Sequence, residues 1–332
     1  MALITTTAQL RTYIPINVSF VFSEIQPFIE PVEQEFIVPI IGQAQLTTLT
    51  GIGTPTGTNL ALIQKLRKAI SFLSVLKWIP FGNLVINSGG FGVTGTSNQQ
   101  IASQWRVDNL EETCRREGYN ALEQILEYLW SVDTGTFTDW DASDEKLNHR
   151  STLFLTSKDF TKYYNIDNSY DFFCTIKPGI NEVQQQYLKP ILGDDFFDQI
   201  MDQIADDSVS ANNAVILTMA KRAAAPLAIY ESVASLGIKL DRWGITTLET
   251  SDQDTTVVRK PAQKERLSYA LNKAGADGKK HLGNLRAYLN NNASDTVYPL
   301  YYASDLYSNP EDLDNEDDGD MINEEDSGVF IM

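Results

Sequence analysis

The sequence has few residues of the types that bind metals or act as nucleophiles. Its 332 residues include two cysteines and two histidines, and no CxxC pair supplies the ligand spacing of a zinc site. It contains no GxSxG motif, and the glycines at Gly89-Gly90 lack the GxxxxGK[ST] pattern of a phosphate-binding loop. We therefore predict no metal, no cofactor and no enzymatic activity.

Disulfides and membrane spans are not expected either. Cys114 and Cys174 lie in unlike contexts of a large chain, so buried free thiols are the simplest interpretation. No apolar run reaches the roughly 18 residues that a membrane helix needs. The amino terminus, MALITTTAQLRTYI, lacks the basic and apolar regions of a secretory signal. These features predict no membrane partner and a protein that is made or assembled in a cytoplasm.

Basic residues are too few to balance the acidic ones. The 26 Lys and Arg face 44 Asp and Glu, which gives a formal charge of −18. The segment 297–332 is rich in Asp and Glu and contains neither Lys nor Arg. Because Lys and Arg contacts with phosphates supply most sequence-independent affinity for nucleic acids, we predict that the chain does not bind them in that way.

What the sequence does contain is an internal repeat. Ser23–Gly42 (SEIQPFIEPVEQEFIVPIIG) aligns with Thr175–Gly193 (TIKPGINEVQQQYLKPILG) at a shift of 151 residues. The identical or similar positions include two prolines and one glycine: Pro27 with Pro178, Pro39 with Pro190, and Gly42 with Gly193. The chain therefore contains one module twice.

The first of these segments has the pattern of a helix. Apolar residues recur every three or four positions, as a single buried face requires. Ser23 is the expected N-cap, with Pro27 in the first turn, where a missing N–H costs least. Pro39 is expected to end or kink the helix, and Gly42 to close it in a left-handed conformation.

The remaining elements also occur twice, and they predict a mainly α fold. Thr7 is the expected N-cap of a short helix before Ser23. Each copy is predicted to hold about four helices plus a β-hairpin, the further elements being an apolar helix (Asn59–Ile79 and Asn213–Leu236), a hairpin (Leu84–Thr96 and Ile238–Thr250) and a long helix (Gln104–Trp130 and Lys264–Leu289). We predict modules at 1–147 and 151–296, a linker at Ser131–Ser151, and an acidic tail at 297–332 that is partly disordered or becomes ordered on assembly.

The candidate functional residues are interface residues. The basic pairs Arg67–Lys68 and Lys221–Arg222 align at a shift of 154, and they either line a solvated rim or form ion pairs between subunits. The hairpins and the tail differ most between the copies, so partners should be distinguished there. The further candidates are aromatic residues of the hairpins and tail and the apolar last four residues: Phe91, Trp243, Tyr298, Tyr301, Tyr302, Tyr307, Val329, Phe330, Ile331 and Met332.

Two patterns in these modules resemble a known group of proteins. Each module begins with T-x-x-(D/Q)-(L/F)…Y…I(N/D)…IxPxI…VxQx(Y/F)(L/I)xPI(I/L)G, and SNQQIASQWRVDNLEETCRREGYNALEQILEYL follows the first hairpin. Both patterns resemble virion proteins of Bacteroidetes phages and prophages, including crAss-like phages. The opening of each module also resembles the helical head–tail connector (adaptor) proteins of long-tailed phages. The resemblance covers residues 1–296.

The resemblance implies a structural protein that forms a ring of about twelve copies at the portal vertex of the virion. The implied partners are further copies of the chain, the portal protein and other tail or ring proteins, while genomic DNA passes through the lumen without specific binding. The tandem duplication departs from single-module adaptors, so the copy number and the neighbouring layer stay open. Two alternatives also stay open: another structural or internal virion protein, and a soluble acidic interaction protein such as a DNA mimic or a host-takeover factor.

Overall fold

The computed structural model describes residues 2–17, 19–82, 84–87, 90–93, 103–233, 238–241, 244–247 and 264–309, and this part of the chain is mainly helical. The helices are, in chain order, α1 (Thr7–Arg11), α2 (Phe22–Val32), α3 (Val38–Ile41), α4 (Gln43–Gly51), α5 (Gly57–Trp78), α6 (Gln104–Ser131), α7 (Thr138–Asp141), α8 (Asp144–Arg150), α9 (Ser157–Thr161), α10 (Tyr170–Val183), α11 (Lys189–Leu192), α12 (Asp194–Ala205), α13 (Ala211–Val233), α14 (Lys264–Asn292) and α15 (Pro299–Tyr302). A 3₁₀ turn, Ile79–Phe81, follows α5.

The same order of elements occurs twice, in a first module (α1–α8) and a second module (α9–α15). Strands β1 (Leu84–Asn87) and β2 (Gly90–Val93) form an antiparallel pair between α5 and α6. Strands β3 (Ile238–Asp241) and β4 (Gly244–Thr247) form the corresponding pair between α13 and α14. The last residues of the predicted hairpins, 94–96 and 248–250, lie outside the described residues.

The core of each module is built on two long helices that pack along each other, α5 with α6 and α13 with α14. Their close approach depends on a glycine in the second helix of each pair. A Cβ atom on Gly118 would lie 2.7 Å from Leu73 Cδ2, and one on Gly278 would lie 2.4 Å from Leu227 Cγ. Because corresponding residues meet in both modules, the repeat extends from sequence to packing.

The Pro-bounded helix contains a feature that its apolar spacing did not predict. Five residues of π-helix, Glu33–Ile37, separate α2 from α3, and Gln184–Leu188 separate α10 from α11 at the same shift of 151 residues. A proline ring in a helix clashes with the carbonyl group four residues before it, which for Pro39 is at the centre of the π segment. The wider turn accommodates this ring, so Pro39 neither ends nor breaks the helix.

Three other details of this region differ from the sequence predictions. The helix begins at Phe22 after Val21, so Ser23 is not its cap and Pro27 lies inside the helix. The cap of α1 is Thr6, whose Oγ1 accepts a hydrogen bond from the Gln9 N–H. The predictions placed each cap one or two residues late because several residues of suitable type are adjacent.

Gly42 and Gly193 end the Pro-bounded helices, as predicted. Their φ angles are +79° and +83°, with ψ at 153° and 155°. The positive φ agrees with the expected left-handed region, but ψ is extended, a combination that residues with a side chain almost never adopt. The chain thereby turns sharply into α4 and α12, each of which starts at the next residue.

The segment predicted as a linker belongs to the first module. Residues 131–150 contain α7 and α8, and Phe137 and Trp140 are each 2% exposed. At a shift of 161 residues, Tyr298 and Tyr301 are likewise buried, in the segment predicted as the start of the tail. Since α7 packs on α4 and α15 packs on α12, each segment completes its own module. Residues 310–332 lie outside the described part of the chain.

The two modules share one continuous hydrophobic cluster, in which buried residues of α2, α5 and α6 join those of α10, α12 and α13. The modules are therefore packed together and are not separate bodies on a flexible linker. None of the helices that the structure describes is both long and apolar enough to span a bilayer.

Candidate functional site

The junction between the modules is the most strongly built polar contact in the chain. Glu123 on α6 is 3% exposed and Ser157, at the start of α9, is fully buried. The Ser157 N–H donates to Glu123 Oε1 at 2.5 Å, and Ser157 Oγ lies 2.8 Å from Glu123 Oε2. A carboxylate of the first module thus binds an otherwise unpaired N–H at the first turn of a helix in the second.

Two further pairs extend this contact along α6. Lys158 Nζ lies 2.7 Å from Glu127 Oε1, and the Tyr119 hydroxyl is hydrogen-bonded to Asp171. Burial, followed by the Asp171 charge, raises the pKa of Tyr119 to about 12. Tyr119 therefore stays protonated and donates to Asp171 over the physiological pH range.

The acids of the junction are held in place and not poised for proton transfer. Burial raises the pKa of Glu123, and the two hydrogen bonds from Ser157 act against that rise. Burial also raises the pKa of Asp171, opposed by the Arg115 charge. Both carboxyl groups have fixed partners, so their geometry serves adhesion between modules. Among the described residues, no group of three His, Cys, Asp or Glu is arranged to hold a metal ion.

Helix α8 makes a second contact between the modules. His149 Nε2 lies 3.1 Å from the Pro39 carbonyl oxygen in the first module. Arg150 Nη1 donates to the Ala205 carbonyl at 2.9 Å, at the end of α12 in the second. Burial, then the nearby Lys177 charge, lowers the pKa of His149 to about 4. His149 is therefore neutral at physiological pH.

Arg67 and Lys221, predicted as interface residues, have partners inside their own modules. Arg67 Nε donates to the Leu3 carbonyl at 2.9 Å, and Lys221 Nζ lies 2.6 Å from Asp159 Oδ2. Each basic side chain fixes the amino-terminal segment of its module onto the long apolar helix. The structure thus gives these residues an internal role and does not place them on a free surface.

The same amino-terminal segments are also held by the π segments. The Leu3 N–H donates to Glu33 Oε1 at 2.8 Å, and the Leu153 N–H donates to Gln184 Oε1 at 2.9 Å. Both acceptors are buried. Sequence reasoning missed this pair, although a polar residue at the same place in both apolar helices was a visible signal.

The other predicted interface residues are divided among three settings. Lys68 pairs with Glu117 at 3.6 Å, and Arg222 is exposed. The tail tyrosines mostly pack on their own module: Tyr298 and Tyr301 are buried, Tyr307 is half-buried, and Tyr302 is 37% exposed with its ring against Tyr307. Phe91 lies on β2, whose side chains are not described, and Trp243, Val329, Phe330, Ile331 and Met332 lie outside the described residues.

The family comparison matches the chain twice. The model of DUF6712, a family of unknown function, matches residues 30–150 and again residues 188–311, which together make up most of the chain. The chain belongs to the DUF6712 family. Both matches run beyond the long helices α6 and α14 to include Trp140 and Tyr301, in agreement with the assignment of α7 and α15 to the modules. No curated protein and no solved structure matches the chain.

Proposed function

We propose that this DUF6712 protein is a structural protein of a phage virion, which forms a ring at the portal vertex between the capsid portal and the tail. The observation that carries the proposal is the contact between the two modules. They bind through unlike surfaces, α6 of one against α9 and α10 of the other. Units of one kind that bind through unlike surfaces form rings when the rotation between neighbours closes.

Two further features support the proposal. The shared core and the buried Glu123–Ser157 contact make the subunit a rigid two-module body, which a load-bearing ring requires. The formal charge of −18 would repel DNA from the wall of a lumen, so a genome would pass without binding. The sequence resemblance to phage virion and connector proteins adds the location at the portal vertex.

The test is to locate the protein in purified particles of the phage or induced prophage that encodes it. We expect the protein in the particle proteome, and labelled antibodies at one vertex in electron micrographs. We also expect the purified chain to bind the portal protein encoded by the same genome. Absence from the particles, together with no binding to the portal protein, would refute the proposal and favour a soluble interaction protein.

A further inference from the structure

The junction inside the chain uses two surfaces that the repeat should provide twice. We call the first the α6 flank, defined by Tyr119, Glu123 and Glu127. The second is the α9 face, which carries Ser157, Lys158 and Asp171 and which the α6 flank covers. The second module has its own long helix, and the first module has its own opening helix. Each chain should therefore hold one further copy of each surface.

The further copy of the α6 flank lies on α14 and is uncovered. At the shift of 160 residues that aligns Gly118 with Gly278, the corresponding residues are Lys279, Gly283 and Ala287, which we call the α14 flank. All three are exposed, whereas Glu123 is 3% exposed. A Cβ atom on Gly283 would have no atom within 4 Å, so nothing in the described chain packs there.

The further copy of the α9 face lies on α1 and is also uncovered. At the shift of 150 residues that aligns the caps Thr6 and Thr156, it consists of Thr7, Ala8 and Val21, which we call the α1 face. Ala8 is exposed, and Val21 is 55% exposed. An apolar side chain left in solvent on this face is consistent with a surface that a partner covers.

The two uncovered surfaces have changed together. Where the internal junction has the ion pair of Glu127 with Lys158, the uncovered surfaces have Ala287 and Ala8. Neither alanine leaves a charge that would lose its partner when the surfaces meet, which is the costly outcome for a buried ion pair.

The other two positions are compatible in size and charge. In place of Glu123 the α14 flank has Gly283, which leaves room for the slightly larger Thr7 on the α1 face. In place of Tyr119 it has Lys279, whose aliphatic chain can cover Val21 while its ammonium group stays in solvent. Glu24, exposed on α2 beside this face, offers that ammonium group an opposite charge.

We propose that the α14 flank of one copy of this chain binds the α1 face of the next, in the arrangement that the α6 flank and the α9 face have inside the chain. Successive modules then follow one another by one repeated contact, alternately within and between chains. The inference deepens the proposed function, since a ring needs a contact between copies, and it names the residues of that contact.

The test uses cysteine pairs and a short bismaleimide on the purified full-length chain at high concentration. Thr7→Cys chains are mixed with Gly283→Cys chains that carry a different tag. The matched control replaces Gly283→Cys with Asp277→Cys, because Asp277 is exposed at the other edge of α14. Wild-type chains measure the background; burial raises the pKa of Cys114 to about 11 and also raises that of Cys174, so both thiols should react slowly.

We expect at least about tenfold more mixed dimer from the Thr7 and Gly283 pair than from the control pair, because binding raises the effective concentration of the two thiols. A chain that carries both substitutions should give a ladder of higher oligomers. Equal yields from the two pairs, or no mixed dimer, would overturn the inference even for a protein found at the portal vertex. Selective cross-linking of a protein absent from virions would uphold the contact and refute only the proposed function.

Discussion

The substitution Gly278→Ala tests whether the long helices pack as closely as the structure indicates. Gly278 lies inside α14, where alanine is normally favoured over glycine by about 1 kcal/mol. At this position the added Cβ would lie 2.4 Å from Leu227 Cγ and 3.2 Å from the Ala223 carbonyl oxygen. Carbon atoms in contact lie about 3.5–4.0 Å apart, so Leu227 or the helix must move.

The expected effect is a net loss of stability. Leu227 and Ala223 are fully buried, and neither has open space to move into. Adding a methyl group to a well-packed core typically costs about 1–3 kcal/mol, which exceeds the helix-propensity gain over most of that range. We therefore expect the free energy of unfolding to fall by about 1–2 kcal/mol. Gly118→Ala should cost less, because its added Cβ meets the side chain of Leu73 and no backbone atom within 3.6 Å.

The matched control lies on the same helix. Gly283→Ala adds the same methyl group where no atom lies within 4 Å, so it should stabilise the chain by about 0.5–1 kcal/mol. Urea unfolding followed by circular dichroism at 222 nm, at low protein concentration to limit self-association, would give all three values. If Gly278→Ala proves as stabilising as Gly283→Ala, the close approach of α13 and α14 is not real.

Two other changes test the junction. Glu123→Ala leaves the buried Ser157 N–H without its acceptor and should lower the unfolding free energy by about 1–3 kcal/mol; Glu123→Gln, which keeps an acceptor oxygen, should lose less and leave the Ser157 amide better protected from hydrogen exchange. For His149, with its pKa lowered from 6.5 to about 4, the stabilising contribution is complete above about pH 6.5 and falls as the unfolded chain takes up protons first. Relative to His149→Gln, wild type should lose about 2 kcal/mol between pH 7 and pH 5 in urea titrations, and parallel pH profiles would show that His149 is not held neutral.

The long helices and the repeat could be predicted because they depend on local patterns. Apolar spacing identified α5, α6, α13 and α14 to within a few residues, since each must bury one face. Gly42 and Gly193 were identified as helix ends because only glycine readily tolerates their positive φ. Such features are set by neighbours in sequence, and the repeat doubled the signal.

The π segments could not be predicted from apolar spacing. Over five residues, periods of 3.6 and 4.4 place nearly the same side chains inward. Two residues did carry information: Pro39, which displaces the carbonyl group four positions earlier, and Glu33, a polar residue on the buried side. The linker was misassigned for a different reason, since the Asp- and Gly-rich composition of residues 131–151 concealed two buried aromatic rings, Phe137 and Trp140.

The junction could not be predicted because it depends on how the modules are oriented. Glu123 reads in sequence as a charged residue at the edge of an apolar stripe, and such residues are usually solvated. Its burial follows only from the position of α9, which is fixed by contacts distant in sequence. Interface residues chosen by charge and aromatic content therefore included Arg67, Lys221 and Tyr301, which serve the interior of a module.

The differences between the modules also limit which surfaces can bind each other. If the α6 flank of one copy met the α1 face of another, Glu127 would lie against Ala8, and a carboxylate would be desolvated without a cation. If the α14 flank met the α9 face, Lys158 would lie against Ala287 and lose its partner. Unpaired charges at a contact are an effective way to reject a wrong partner. The internal and external junctions are thus mutually exclusive by charge, and an assembly built from them keeps one fixed order of modules, first to second within a chain and second to first between chains.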